Sequence, residues 1–162
     1  MKRILGLGLL LGLALVQVTW SPRLAIAGAF PNLVLIAVVG ITWAYGVRAG
    51  LIWACVGGVL LDLTASGAIG PHALALLAGA YATSLWTRDL ERPTAIHLAL
   101  TAALATILYS LALVVTYGVL GMPAPDVVTV VRLTAAGAAY NAVLMPFCFE
   151  ALRRMREVPE PT

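Results

Sequence analysis

Charged residues are scarce in this sequence. Asp, Glu, Lys and Arg make up 10% of its 162 residues, whereas hydrophobic residues make up 62%. Soluble domains carry roughly 25% charged residues, so the composition excludes a soluble globular protein. It predicts an integral membrane protein with room for one compact bundle and for no separate soluble domain. The basic residues are scattered between apolar runs, which indicates membrane orientation and argues against nucleic-acid binding.

Motifs for catalysis and for metal or cofactor binding are missing as well. The sequence has no HExxH, GxSxG, P-loop or dinucleotide-binding fingerprint. Its two cysteines, Cys55 and Cys148, form no CxxC pair. A metal site would need ligands in addition to Asp62 and His72, and no helix face carries two carboxylates for acid–base catalysis. We therefore expect no enzyme, no metal and no cofactor.

Six apolar runs account for most of the chain, separated by short segments rich in glycine, proline or charge. Each run is predicted to form a membrane-spanning helix, although the third is short. The runs cover residues 4–20, 24–45, 51–63, 71–86, 95–120 and 127–149. Pro31 is expected to bend or unwind the second run, so the firm part of that helix is predicted to begin at Pro31. The predicted fold is therefore an all-α integral membrane bundle of six transmembrane helices. Residues 1–152 are predicted to form this domain and residues 153–162 a short charged cytoplasmic tail.

The first run allows a second interpretation. Met1-Lys2-Arg3 followed by an apolar stretch also fits a signal peptide, with Ala25-Ile26-Ala27 as a cleavage site. A protein with several spans needs no removable signal, so a first membrane helix is favoured.

The positions of the basic residues predict the orientation. Six spans place both termini on one side of the membrane, and that side receives eight of the ten basic residues. These eight are Lys2, Arg3, Arg48, Arg88, Arg92, Arg153, Arg154 and Arg156. The opposite side has Arg23, while Arg132 lies within the sixth run. Because basic residues in short loops stay inside, both termini are predicted to be cytoplasmic.

The stretch from Gly57 to His72 organises the rest of the chain. It places Asp62 near the end of an apolar run, breaks at Ser66-Gly67 and starts a new run at Gly70-Pro71. Glycine punctuates helices and proline is favoured in a first helical turn, so this pattern predicts helix, tight turn, helix. A carboxylate at the centre of a span costs about 2.5–3.5 kcal/mol on insertion scales, so Asp62 needs a structural or functional reason.

Several polar residues are predicted to lie at one depth beneath the outer surface. The orientation places Asn32, Asp62, Ser66, His72 and Arg132 there, although they are far apart in sequence. Since charges in hydrocarbon pair or face a wet cavity, Asp62 and Arg132 are both expected on the bundle interior. A direct ion pair between them is one possibility. In the other, Arg132 extends its side chain to the outer headgroups.

Asn141 is predicted to lie deeper, near the middle of the membrane. Tyr140-Asn141 followed by Pro146 indicates an interhelical hydrogen bond beside a proline bend. A packing role for Asn141 is favoured over contact with a ligand.

The sequence resembles the rod shape-determining protein MreD family of bacteria. The matching segments are Pro31-Asn32-Leu33, residues 58–73, the region of Tyr81 with the charged loop after it, and Tyr140-Asn141 with Pro146. Their order and spacing carry the resemblance, and the stretch from Asp62 to Gly70 is its most specific part. The length and the charged end of the chain fit as well.

The resemblance implies a non-enzymatic scaffold of the cell-elongation (rod) complex in the bacterial cytoplasmic membrane, surrounded by membrane lipid. The expected partner is MreC, with MreB, RodA and a class B penicillin-binding transpeptidase in the same complex. The expected role is regulation of peptidoglycan synthesis and cell shape. The family also looks similar in fold to the S component of energy-coupling-factor transporters. The alternative function is therefore a small-solute-binding membrane subunit of a transporter, which would use an outer cavity around Asp62 and Arg132.

Overall fold

The computed structural model describes residues 2–20, 28–65, 67–87, 93–123 and 125–157, with side chains described between residues 8 and 154. Within these ranges the chain forms six helices. They are α1 (Lys2–Trp20), α2 (Leu33–Tyr45), α3 (Val47–Thr64), α4 (Pro71–Trp86), α5 (Ala95–Val119) and α6 (Val127–Glu157). The predicted all-α fold class is confirmed, with one helix for each of the six apolar runs.

The helices differ in their ability to cross a membrane. By length and composition, α3, α5 and α6 are long and apolar enough to do so, whereas the apolar parts of α1 and α2 are shorter. With 13 residues, α2 is about 20 Å long, against a hydrocarbon core of about 30 Å. Residues 28–32, directly before α2, are not helical and add to the length of this part of the chain.

Helix α2 is the centre of the bundle. It contacts each of the other five helices, which surround it in the order α1, α3, α4, α5, α6. An apolar sequence on every side of a helix is typical of a buried position, and eight of its 13 residues are buried. Within the described residues, α1 and α6 do not pack against each other, and Gly28, in the segment before α2, lies beside Leu133 of α6.

The start of α2 at Leu33 lies two residues after the start predicted at Pro31, whereas α6 continues beyond its predicted end. The second helix begins at Leu33 because Asn32 caps it: the Asn32 side chain accepts a hydrogen bond from the backbone N–H of Leu35. Residues 24–27 of the predicted run lie outside the described residues. The last helix continues to Glu157, into the predicted tail. Ion pairs from Glu150 to Arg153 and Arg154, three and four residues on, support this extension.

Candidate functional site

Asp62 lies on the buried face of α3. Gly50, Ala54, Gly58 and Asp62 follow one another at helical spacing and are all buried, and Asp62 is 1% exposed. A Cβ added to Gly58 would collide with the backbone of Ala73. The glycine one turn before Asp62 therefore lets the end of α3 lie directly against the start of α4.

The Asp62 carboxylate closes the N-terminus of α4. One oxygen, Oδ2, accepts hydrogen bonds from the backbone N–H groups of Gly70 at 2.8 Å and Ala73 at 3.3 Å. The other, Oδ1, accepts the backbone N–H of His72 at 2.9 Å. A helix start leaves such N–H groups without partners inside the helix and carries positive partial charge. Asp62, which belongs to the neighbouring helix α3, thus satisfies these N–H donors and offsets the positive partial charge of the α4 N-terminus.

The sequence at the start of α4 explains why its N-terminus is capped by a residue of another helix. Gly70 stands at the N-cap with φ of +128°, which L side chains rarely adopt, and it has no side chain with which to cap the helix. Pro71 occupies the first helical position and has no N–H to satisfy. The remaining donors turn toward α3, where Asp62 accepts them.

His72 contributes its side chain to the same carboxylate. Its Nδ1 lies 2.9 Å from Asp62 Oδ1, and the imidazole is 20% exposed whereas the carboxylate is fully covered. When Nδ1–H donates this hydrogen bond to Asp62, the other ring nitrogen, Nε2, lies on the opposite edge of the imidazole. The imidazole also lies beside Tyr109 of α5, with ring centroids 6.3 Å apart.

The N-terminus of α2 is closed by neutral amides. The backbone N–H of Asn32 donates to Asn141 Oδ1 of α6 at 2.9 Å, and that of Val34 donates to Gln17 Oε1 of α1 at 3.1 Å. Asn141 Nδ2 donates in turn to the hydroxyl of Thr106 on α5 at 2.9 Å. The predicted interhelical hydrogen bond of Asn141 is present, and it connects three helices.

The network connects Asn32 to two different positions along its neighbours. Asn141 is 14 residues beyond the start of α6, or about 21 Å along its axis. Gln17, which accepts the N–H of Val34, is close to the end of α1 at Trp20. The depth of Asn32 beneath the outer surface stays a prediction. Irregular backbone inside a bundle is tolerated where protein buries it, as it buries Pro31 and Asn32.

Arg132 takes no part in either network. Its side chain is exposed on α6, and within the described residues the side chain of Asp62 bonds only to residues 70–73. The expectation that Arg132 lies on the bundle interior and can pair with Asp62 is wrong. The physical reason is that the α4 donors already saturate the carboxylate. Ser66, also predicted in the cluster, lies outside the described residues.

A cavity of about 530 Å³ joins the two capped N-termini. Most of its wall is apolar, and α5 and α6 supply much of it. Its polar lining includes Gln17, Asn32, His72, Thr106, Tyr109 and Asn141. The predicted outer cavity around Asp62 and Arg132 is thus replaced by one that neither residue lines. Within the described residues, no lysine, arginine or carboxylate lines it.

Three members of the site were missed in the sequence. Gln17, Thr106 and Tyr109 sit within apolar runs whose pattern gives no reason to single them out. Tyr109 is 9% exposed and stands between His72 and the Asn32 network. A search for every amide or hydroxyl inside a span would have found all three, together with several residues that bond only to their own helix.

The chemistry available at the site is that of hydrogen bonding. Among the described residues, no group of three His, Cys, Asp or Glu side chains could hold a metal ion. The oxygens of Asp62 are occupied by four donors. The arrangement joins helices and lines a neutral cavity.

Comparison with known proteins identifies one family. The model of a family described as rod shape-determining protein MreD matches residues 2–155. No curated protein and no solved structure matches the chain.

Proposed function

Because the chain belongs to the rod shape-determining protein MreD family, we propose that it is a non-enzymatic scaffold of the bacterial rod complex. The family is one of membrane proteins that determine cell shape, and its match extends over nearly the whole chain. The finer proposal is that the protein binds MreC in the cytoplasmic membrane and helps to regulate peptidoglycan synthesis. MreB, RodA and a class B penicillin-binding transpeptidase complete the proposed complex.

The proposed topology has six spans with both termini in the cytoplasm. The excess of basic residues at the predicted inner loops and at both ends of the chain supports it. A reporter fused after Thr162 should be active only if it requires the cytoplasm. Activity of a reporter that requires export would contradict this topology.

An exposed stripe on α6 is the surface that best suits a partner helix. We define the α6 stripe as Val131, Ala135, Ala139, Val143 and Phe147, which recur every four residues and are all exposed. Small residues such as Ala135 and Ala139 let a neighbouring backbone approach closely in a membrane. Gly137 and Ala138, in the same alanine-rich segment, turn inward and are buried. The α6 stripe therefore has the shape for a single-span partner such as MreC.

Two native cysteines allow this interface to be tested in the unaltered chain. Cys148 is exposed next to the end of the α6 stripe, whereas Cys55 is exposed on α3. In membranes that contain MreC with single cysteines along its transmembrane helix, oxidation should join one face of that helix to Cys148. Cys55 should form no such disulfide and serves as the internal control.

A substitution on the α6 stripe complements the crosslinking. Ala139→Leu should reduce co-purification of MreC, because the larger side chain separates the two backbones, whereas Cys55→Leu should leave it unchanged. Crosslinks through Cys55, or full retention of MreC by Ala139→Leu, would count against the interface. Loss of MreC with both variants would point to a general folding defect, which a melting curve would reveal.

The cavity keeps the second candidate function open to test. A small-solute-binding subunit of a transporter would use a neutral, mostly apolar cavity of this kind. Stabilisation of the purified chain by a water-soluble solute, measured as a rise in Tm, would favour that function over the scaffold.

A further inference from the structure

Arg132 is a cation without a partner in the described part of the chain. Its side chain is exposed on α6 and makes no hydrogen bond or ion pair with the described residues. The carboxylate nearest to it along the helix, Asp126, is occupied by the backbone N–H of Thr129 at 3.0 Å and by the Thr129 hydroxyl at 2.7 Å. Asp62 is saturated by the donors of α4. An anion that pairs with Arg132 therefore comes from outside the described chain.

The position of Arg132 along α6 gives its level in the membrane. No charged residue lies between Arg132 and Glu150, and Glu150 forms exposed ion pairs with Arg153 and Arg154 at the other end of this apolar stretch. Arg132 and Arg153 are 21 residues apart, which is about 32 Å along a helix axis. The hydrocarbon core of a bilayer is about 30 Å thick. When Arg153 lies at the surface of one leaflet, Arg132 therefore lies at the surface of the other.

Helix geometry directs the side chain of Arg132 toward that nearer surface. Side chains of an α-helix tilt toward the helix N-terminus, and α6 begins at Val127, five residues before Arg132. A long basic side chain near a helix end holds its charge among the headgroups while its stem lies in hydrocarbon. The exposed neighbours Val128 and Val131 are apolar and give that stem an apolar surface.

Phosphate is the anion that a membrane supplies at this level. The phosphate of a phospholipid lies in the headgroup layer, and a guanidinium donates two parallel N–H bonds to phosphate oxygens. A partner helix supplies a carboxylate only if it carries one at the same level, whereas every phospholipid brings a phosphate there. The position of Arg132 therefore favours lipid over protein as the source of its anion.

We propose that Arg132 binds the phosphate of a phospholipid in the leaflet opposite to that of Arg153 and Arg154. In the proposed topology this is the outer leaflet. The charged residues at the two ends of the apolar stretch together fix the depth of α6 in the bilayer. This lipid contact goes beyond the proposed scaffold function and does not depend on the identity of any partner protein.

Solid-state NMR tests the contact directly. The full chain, isotope-labelled at the arginine Cζ atoms, is placed in phosphatidylcholine bilayers in a buffer without phosphate, so that lipid is the only source of phosphorus. The Arg132 signal is the difference between the spectra of the unaltered chain and of Arg132→Gln. In a rotational-echo double-resonance measurement, lipid phosphorus should dephase this signal, because the guanidinium contacts a phosphate. Absence of dephasing would overturn the proposal.

Val131→Gln is the matched control. Val131 is exposed next to Arg132 and receives the same new side chain, while Arg132 itself is kept. This variant should retain the full dephased arginine signal of the unaltered chain, and melting curves establish that both variants are folded. A folded Val131→Gln that loses as much dephased signal as Arg132→Gln would overturn the assignment to Arg132.

Moving the arginine along α6 tests the depth. Val128 and Ala139 are exposed, as Arg132 is. Arg132→Gln with Val128→Arg places the charge about one turn nearer the membrane surface and should restore the dephased signal. Arg132→Gln with Ala139→Arg places it about 10 Å deeper and should not restore it. Equal dephasing in these two folded variants would show that depth does not select the phosphate and would overturn the proposal.

Addition of MreC separates the lipid contact from the proposed scaffold function. The Arg132 signal should stay dephased by lipid phosphorus in the complex, and Arg132→Gln should retain MreC. Loss of the dephasing on addition of MreC would assign the anion to a carboxylate of the partner and overturn the lipid contact. Dephasing in the chain alone supports the lipid contact even if MreC fails to bind, so the two proposals fail separately.

Discussion

Two helix N-termini lie inside this bundle, and they are closed by different chemistry. The α4 terminus is closed by one carboxylate, Asp62, that accepts three backbone N–H groups and the His72 side chain. The α2 terminus is closed by neutral amides: its own Asn32, Gln17 of α1 and Asn141 of α6. Both arrangements satisfy donors that hydrocarbon would otherwise leave unpaired.

The difference shows what each cap does for the fold. A carboxylate only accepts hydrogen bonds and offsets the positive end of α4, so Asp62 closes one junction between consecutive helices. An amide accepts and donates, so Asn141 can accept from Asn32 and donate to Thr106. The charged cap stabilises a turn, while the neutral cap connects α2 to distant helices.

The largest effect is expected from removal of the charged cap. Asp62→Leu leaves three N–H groups and the His72 imidazole without their acceptor, and each buried donor left unsatisfied costs about 1–3 kcal/mol. The free energy of unfolding in detergent, from denaturant titration, measures it. Asp62→Asn retains one acceptor oxygen and should fall between this variant and the unaltered chain. An unfolding free energy for Asp62→Leu within error of the unaltered chain would refute the capping role.

The second-largest loss of stability is expected from a larger side chain at the contact between α3 and α4. Gly58→Ala places a methyl group against the backbone of Ala73, and overpacking of this kind costs about 1–3 kcal/mol. Gly118→Ala is the control, since a Cβ there meets nothing within 4 Å. The two Tm values should separate clearly. Equal Tm values would show that α3 and α4 do not approach as closely as the structure places them.

The neutral cap should be less costly to break. Asn141→Leu removes one acceptor and one donor, and hydrogen bonds between helices in membranes contribute roughly 0.6 kcal/mol each, up to about 1.7 kcal/mol. We therefore expect a loss of about 1–2 kcal/mol in the free energy of unfolding. Thr106→Val removes one of the same bonds and should cost less. If the two single losses simply add in the double variant, the shared bond is absent.

Substitution of Arg132 should have the smallest effect on stability, because this residue is exposed and belongs to neither cap. Arg132→Gln is expected to change the unfolding free energy by less than about 0.5 kcal/mol, as for other surface positions. Exchange of the charges, Asp62→Arg with Arg132→Asp, should fail to restore stability. Rescue by that exchange would mean that the two residues pair after all.

The sequence predicted more about the α4 cap than about the α2 cap, and the reason is the distance along the chain between the bonded residues. The α4 start was predicted at Pro71 and confirmed, with Asp62 identified as the residue that needs an explanation. Gly58, Asp62 and Gly70–Ala73 follow one another within a short stretch, so one turn brings them together. The α2 start was predicted at Pro31, close to the observed Leu33, but the side chains that close it were not identified. Its partners are 109 and 17 residues away along the chain, for the Asn32–Asn141 and Val34–Gln17 bonds.

Arg132 shows the same limit of sequence-based prediction, because here the sequence indicated a contact that the structure does not contain. The sequence marks it as the single basic residue within a predicted run, and opposite charge made Asp62 its natural partner. Which side of α6 faces the bundle depends on the helices packed against it, and the valines and alanines of 127–139 occur on both sides of the helix without distinguishing them.

By itself, the sequence determined the membrane class, the number and order of the helices and the α3–α4 junction, because hydrophobicity and short-range turn geometry act on neighbouring residues. The tertiary structure alone decided that α2 lies at the centre, that Asn141 and Gln17 close its N-terminus and that Arg132 faces outward. Those outcomes depend on which donors remain unsatisfied once the helices are packed, and packing brings together groups that no local pattern connects.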